Sequence, residues 1–281
     1  MDLHVFLAVL AAALCHASWN AGLKLKLDPA IAITLTAVAA GVAALPLLPW
    51  TALPASAAWP YLAASLALHL VYWIVLAEAY RTGDLGQVYP IARGTAPLIT
   101  TTGSAFVLGE TLPAGSLSGV VLLASGVVLL SLRGGRSLAA FDGRAIGFAL
   151  ATAVTIAAYT LVDGQGVRAA GGAHGYTLML FFLDGVMMAV YGALRQRAAI
   201  RKVPPRQLPL MLGGGALSLI AYWIALWAMT VAPIALVAAV RETSVLFAAA
   251  IGVLVLKEPL LGWRLVAAGL VVTGLVLIRL S

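Results

Sequence analysis

Cysteine is almost missing from this chain. Cys15 is the only one in 281 residues, so an internal disulfide is excluded and a cysteine-ligated metal cluster is not expected. Charge is nearly as scarce: 10% of the residues are charged and 63% are hydrophobic. Soluble domains average about 25% charged and about 45–50% apolar, so an ordinary soluble domain is excluded. No basic patch with interleaved aromatics sits on a polar surface, and the net charge of +7 is therefore not the footprint of a nucleic-acid binder. Clustered carboxylates are lacking too. Asp163 and Asp184 stand alone, without metal-ligand spacing. Cys15 and His16 are neighbours on a helix and do not face each other, which leaves no nucleophile beside a base. An intramembrane enzyme, a metal site and a cofactor are all unexpected on these grounds. The basic n-region of a signal peptide is also missing, with Asp2 and His4 in its place, and Leu14 before Cys15 spoils a lipoprotein cleavage site.

What the chain has in abundance is long apolar runs. Ten can be laid end to end, at 3–22, 30–49, 59–80, 85–108, 113–132, 145–165, 175–194, 208–230, 233–256 and 260–279. Each is near the roughly 20 residues that span a bilayer's hydrocarbon core as a helix. Almost nothing remains for an extramembrane domain. Lys and Arg divide unevenly between the two sets of loops, thirteen against two, with Arg93 and Arg241 left inside helices. The positive-inside rule then puts the basic loops in the cytoplasm and both termini in the periplasm of an inner-membrane protein. Trp50, Trp59 and Tyr61, in and after an uncharged connection, read as anchors at the lipid–water interface.

The chain also contains one stretch twice. Residues 69–133 and 219–281 share Tyr72-Trp73-Ile74 with Tyr222-Trp223-Ile224 at an offset of 150. Arg93 answers Arg241, Glu110 answers Glu258 and Gly126 answers Gly274, all at 148. The upstream parts match more weakly, with Trp19 opposite Tyr159. Five spans per half is an odd number, so the halves enter the membrane in opposite senses. The expected fold is an all-α integral membrane protein. Its ten transmembrane helices form two inverted five-helix repeats, 1–134 and 143–281, around a central cavity. Because the two-fold symmetry is satisfied inside one chain, a functional monomer is among the expectations. The other partners expected are the lipid bilayer and a small-molecule substrate.

Candidate binding residues follow from polarity in apolar surroundings. His16, Trp19 and Asn20 share one face of the first helix through i, i+3 and i+4 spacing. Thr152, Thr155, Tyr159 and Asp163 share a face of the sixth, with Asp163 near the helix end, where solvation or capping competes with a cavity role. His69, Tyr72, Trp73, Leu76 and Tyr80 make a stripe on the third helix, answered by Trp223 and Trp227 on the eighth. Tyr89, Pro90 and Arg93 lie in the fourth run, and Arg241, Glu242, Thr243 and Ser244 in the ninth. An arginine at membrane depth faces a partner or a watery cavity. For Arg241 the competing structural reading is an ion pair with Glu242 or with an acid on another helix. For Arg93 the nearest acids in sequence are Glu78 and Asp84. Pro90, Pro97 and Pro233 are expected to interrupt helical hydrogen bonding where carbonyls line a cavity. Glu110 and Glu258 mark turns into the fifth and tenth helices, and read as structural carboxylates at the positive ends of those helices.

Three short motifs add a resemblance: HASWNAGLK at 16–24, LGE at 108–110 and LKEP at 256–259. With the spans and the repeat, they make the whole chain similar to the EamA-type branch of the drug/metabolite transporter superfamily. That resemblance implies two inverted five-helix halves around a cavity lined mainly by the first, third and fourth helices and their equivalents. The fifth and tenth helices would pack outside. It also implies a secondary transporter, an exporter of amino acids or other small metabolites, with aromatic-rich cavities pointing to aromatic amino acids. Carriers of phosphorylated metabolites or of cationic drugs are the alternatives, and a non-transporting scaffold is the remaining one. Small four-helix relatives carry a proton-coupling glutamate where this chain has Cys15-His16. Glu242 or His16 is then the best proton site if transport is proton-coupled, and otherwise the protein is a facilitator. The residues expected at the substrate are Arg93, Arg241, Trp19, Asn20, His16, Tyr72, Trp73, Tyr89, Tyr159, Trp223, Trp227, Glu242 and Ser244.

Overall fold

A computed structural model describes residues 1–22, 28–82, 85–132, 143–254 and 262–281. Among them there is no strand. The first half holds α1 (Leu3–Gly22), α2 (Pro29–Ala44), α3 (Trp59–Thr82), α4 (Leu85–Leu108) and α5 (Ala114–Leu132). The second holds α6 (Gly143–Ala169), α7 (Ala173–Arg195), α8 (Leu208–Val231), α9 (Ile234–Arg241), α10 (Ser244–Leu254) and α11 (Gly262–Leu280). Among the described residues, eight segments are long and apolar enough to cross a membrane, and Ala114–Leu130 is a shorter apolar one. α4, which carries Arg93, four threonines and Ser104 among its described side chains, is not one of the eight. Large apolar side chains such as Phe106, Leu194 and Leu254 point outward. On a soluble protein such a surface would drive aggregation; around a multi-pass membrane protein it is what lipid contacts.

Helices that are each other's repeat equivalents pack antiparallel. Along α5 and α11, Gly115 lies beside Ser281, Gly119 beside Gly274 and Ile278, and Gly126 beside Ala267 and Val271. Along α2 and α7, Gly192 lies beside Thr34, and Gly185 beside Ala37 and Gly41. Numbering rises on one helix as it falls on the other, which requires a two-fold axis crossing the helices. The remaining contacts come in matched sets: α1 packs on α8 as α6 packs on α3, and α4 packs on α6 as α9 and α10 pack on α1. The repeats are therefore inverted relative to each other. Such close crossings need small residues, because helices in lipid associate through packing rather than through a hydrophobic drive.

Two local expectations change. α4 runs unbroken through Pro90 and Pro97, although each proline withholds a backbone donor. Pro233 starts a helix instead of interrupting one, as the residue before α9. The break in the ninth span falls at Glu242–Thr243, where no proline stands. There the N–H groups of Glu242 and Thr243 bond three residues back, to Ala239 and Val240, and the Thr243 hydroxyl donates to the Val240 carbonyl at 2.7 Å. A hydroxyl competing for a backbone acceptor is a known way to bend a helix.

The end of the bundle that carries both termini is tied shut. Glu110, at the turn after Gly109 (φ +67°), was expected to serve the start of α5. It reaches instead to Arg168 at the end of α6 (2.8 Å) and accepts from the N–H of Ile234, the first residue of α9 (3.0 Å). Arg168 also donates to the carbonyls of Met229 (2.8 Å) and Ala232 (3.1 Å). Four turns from the two halves are joined there, since the Ala55 N–H also bonds the Ala170 carbonyl. Glu258 lies outside the described residues.

A Cβ built on Gly274 would sit 2.6 Å from the Gly119 carbonyl oxygen, whereas one on Gly269 meets nothing within 4 Å. Gly274→Ala is therefore expected to destabilise the detergent-solubilised protein by about 1–3 kcal/mol through overpacking. Gly269→Ala should stay within about 0.5 kcal/mol. Thermal unfolding followed by size-exclusion fluorescence compares the two.

Candidate functional site

A cavity of about 520 Å³ lies between the two halves, within the range of about 300–1,000 Å³ usual for small-molecule sites. Its lining comes from both halves: in the first from α2, the C-terminal parts of α1 and α3 and the N-terminal part of α4, and in the second from α6, α7, α8, α9 and α10. Those parts of α1, α3 and α4 lie away from the tied end. On α1, His16, Trp19 and Asn20 all face it, as their spacing predicts. The Trp19 ring meets His16 edge-on at 5.3 Å, and the Asn20 amide donates back to the His16 carbonyl at 3.0 Å.

The opposite wall is a chain of rings. His69 on α3 is fixed through Nδ1 by Ser65, with contacts of 2.9 Å to its carbonyl and 3.2 Å to its hydroxyl. It stacks on Tyr159 of α6 at 4.4 Å and 24°. Tyr72 meets the same Tyr159 edge-on at 5.7 Å and leans on Trp73 at 4.7 Å. Tyr159 meets Tyr222 of α8 at 6.5 Å, and Tyr222 meets Phe181 of α7 at 5.9 Å. Rings give a large contact surface with few rotatable bonds, so this wall is built before any ligand arrives. The indole nitrogens of Trp19 and Trp73 are buried without a hydrogen-bond partner.

Charge is distributed in a way the sequence did not reveal. Consecutive residues point about 100° apart on a helix. Glu242 thus turns away from its neighbour Arg241 and meets Arg93 of the other repeat, Oε2 to Nε at 2.9 Å. The contact is close but off-line, an ion pair more than a linear hydrogen bond. Arg93 Nη2 also donates to Ser244 Oγ at 3.2 Å. Arg93, Glu242 and Ser244 are all buried. The expected pairing of Arg241 with Glu242 is not formed; Arg241 lies over the Tyr222 ring, 4.8 Å from its centre, and lines the cavity. No carboxylate lies within salt-bridge distance of Arg241 among the described residues.

Asp163 is neither solvated nor a cap. It is fully buried, accepting hydrogen bonds from Tyr176 (2.9 Å) and Tyr222 (2.6 Å). It thereby holds the ring that carries Arg241. Asp184 of α7, which sequence reasoning passed over, lines the cavity.

Of the residues expected at the substrate, His16, Trp19, Asn20, Tyr72, Trp73, Arg93, Tyr159 and Arg241 line this one cavity. Glu242 and Ser244 support it from behind through Arg93. Trp223 and Trp227 do not line it. Trp223 donates its indole N–H to His174 at 2.9 Å near the surface, and Trp227 packs beside His4 at 6.4 Å. Their neighbour Tyr222 takes the inward position. The repeat itself carried the signal for it, since Tyr72 answers Tyr222. The side chains of Tyr80 and Tyr89 lie outside the described residues.

A solved crystal structure of a protein superposes with a TM-score of 0.78 over 100% of this chain and 99% of its own, at 16% identity, which speaks to fold alone. No curated protein matches the chain. The model of the EamA-like transporter family matches residues 3–132 and again 143–280. By that match, over two successive repeats, the chain belongs to the EamA-like transporter family.

Proposed function

We propose that the protein is a secondary transporter that carries small organic metabolites, amino acids with aromatic or bulky apolar side chains foremost, across the inner membrane as an exporter. The observation that carries this reading is Arg241. It is a guanidinium facing an aromatic-walled cavity at membrane depth, with no carboxylate of the described chain to neutralise it. A fixed charge in such a place is an invitation to a mobile counter-charge. A substrate carboxylate would take that position, and the rings of Tyr72, Trp73 and Tyr159 would receive the apolar part. The mechanism that fits is alternating access over ten spans, the two inverted halves rocking about this site, with the basic loops cytoplasmic and the termini periplasmic. In such a cycle the Glu110–Arg168 contact is a closed gate, which separates when the cavity opens at the terminal end.

The two arginines differ in role. Arg93 is held by Glu242 and Ser244, so it shapes the site, while Arg241 meets the substrate. Removing one partner of a buried pair leaves an uncompensated charge. Glu242→Gln and Arg93→Met are each expected to destabilise the fold by about 3–5 kcal/mol. The double variant Arg93→Met/Glu242→Met should recover most of that loss. Thermal unfolding of the three variants tests the assignment; a double variant as unstable as the sum of the singles would sink it.

Transport is tested with the purified protein in liposomes, measuring counterflow of a panel of labelled amino acids. Arg241→Ala is expected to reduce saturable flux roughly 10- to 100-fold, the worth of a charge-assisted hydrogen bond of about 1.5–3 kcal/mol. Trp223→Ala, off the cavity, should stay within about twofold, since substitutions away from such contacts cost about 0.5 kcal/mol or less. Equal losses in both variants would remove Arg241 from the substrate's path.

A further inference from the structure

Within the reading of the cavity as a transport site, its charges can be reduced to two. Among the described residues, the charged side chains that line it are Arg93, Asp184 and Arg241, beside the imidazoles of His16 and His69. Arg93 is neutralised by Glu242. Arg241 remains as one pole and Asp184 as the other. Asp184 Oδ1 is buried and has no hydrogen-bond partner, and no Lys or Arg lies within salt-bridge distance of it among the described residues. The other buried acid nearby, Asp163, is already served by two tyrosine hydroxyls. Buried polar atoms are nearly always partnered, so an orphan carboxylate oxygen in the wall of a cavity asks for a donor from outside the chain.

The poles are held apart by a built spacer. Arg241 lies over one ring, Tyr222, at 4.8 Å, and Phe181, one turn before Asp184 on α7, meets the same ring at 5.9 Å. Two rings in contact, Tyr222 and Phe181, thus run from Arg241 to the turn before Asp184, and aromatic faces favour an ammonium group as well as an apolar side chain. We propose that Asp184 is the ammonium-binding pole of the cavity and that, with Arg241, it selects small zwitterions over molecules bearing only one of the two charges. His69, within electrostatic range of Asp184, is committed through Nδ1 to Ser65.

The test compares matched triplets on the full-length purified protein. One is L-tryptophan, tryptamine and indole-3-propionate; the other is L-leucine, isopentylamine and 4-methylpentanoate. Competition against counterflow of whichever amino acid the liposome panel identifies gives apparent affinities. The wild type is expected to prefer the zwitterion of at least one triplet by about tenfold over both single-charge analogues. Asp184→Asn should bring the zwitterion down to its acid analogue and leave that analogue unchanged. Arg241→Gln should bring it down to the amine, and Asp184→Glu should restore part of the preference. Three outcomes overturn the proposal: a zwitterion preference intact in Asp184→Asn, equal loss for all three members, or no preference in the wild type. Each of these leaves the transport reading standing. Absence of flux for every solute in the panel would sink both.

Discussion

A guanidinium at membrane depth must be answered, and in this protein the answer to Arg93 comes from the other repeat. The Arg93–Glu242 pair joins α4 to the turn between α9 and α10 at 2.9 Å, behind the cavity wall. Much else depends on it. Glu242 reaches Arg93 from the point where the ninth span breaks, at Glu242–Thr243, and Arg241, one residue earlier, is turned inward over Tyr222. The 100° step between neighbours already sends the two side chains apart, and the break falls where they diverge. The helix break, the ion pair and the exposed cation are one arrangement.

Around that pair, the scaffold is built from small residues where like helices cross and from polar ties at one end. Gly119 against Gly274 and Gly41 against Gly185 bring backbones into contact across the two-fold axis. Side chains from the facing helix, Ile278 at Gly119 and Val271 at Gly126, fill the space that a Cβ would occupy. Glu110, Arg168 and the carbonyls of Met229 and Ala232 supply directional contacts where the bundle is closed. Each of those contacts is partly exposed, with 31% of the Arg168 side chain accessible. Exposed ion pairs are individually weak. A tie of this kind holds a state without locking it.

The fold was legible in the sequence because it rests on properties that survive without contacts: apolar run length, repeat offset and the parity of five spans. The face of α1 was legible for the same reason, since i, i+3, i+4 geometry is local. Partner choice was not. The pairing of Glu242 with Arg93 rather than Arg241 depends on an approach between helices 149 residues apart in the chain. The inward face of α8 is one residue away from the expected stripe: Trp223 and Trp227 share a face through i, i+4 spacing, but Tyr222 beside them lines the cavity. Asp163 looked like an end-of-helix acid because its two tyrosine partners lie 13 and 59 residues away. Asp184 was discounted for standing alone, yet in an apolar helix isolation is the signal.

Duplication usually makes two equal halves, and here the value of the duplication lies in how the halves have diverged. Arg93 and Arg241 began as the same position, and a symmetric cavity would present two cations side by side. Spending Glu242 on one of them removes that repulsion and leaves a single positive pole. Nothing equivalent to Glu242 stands in the first half, where Gly94 follows Arg93. Asp184 likewise has no acidic mate on α2, whose sequence contains no charged residue. The scaffold keeps its two-fold symmetry while the site loses it. That loss is what gives a symmetric frame a site with two different ends.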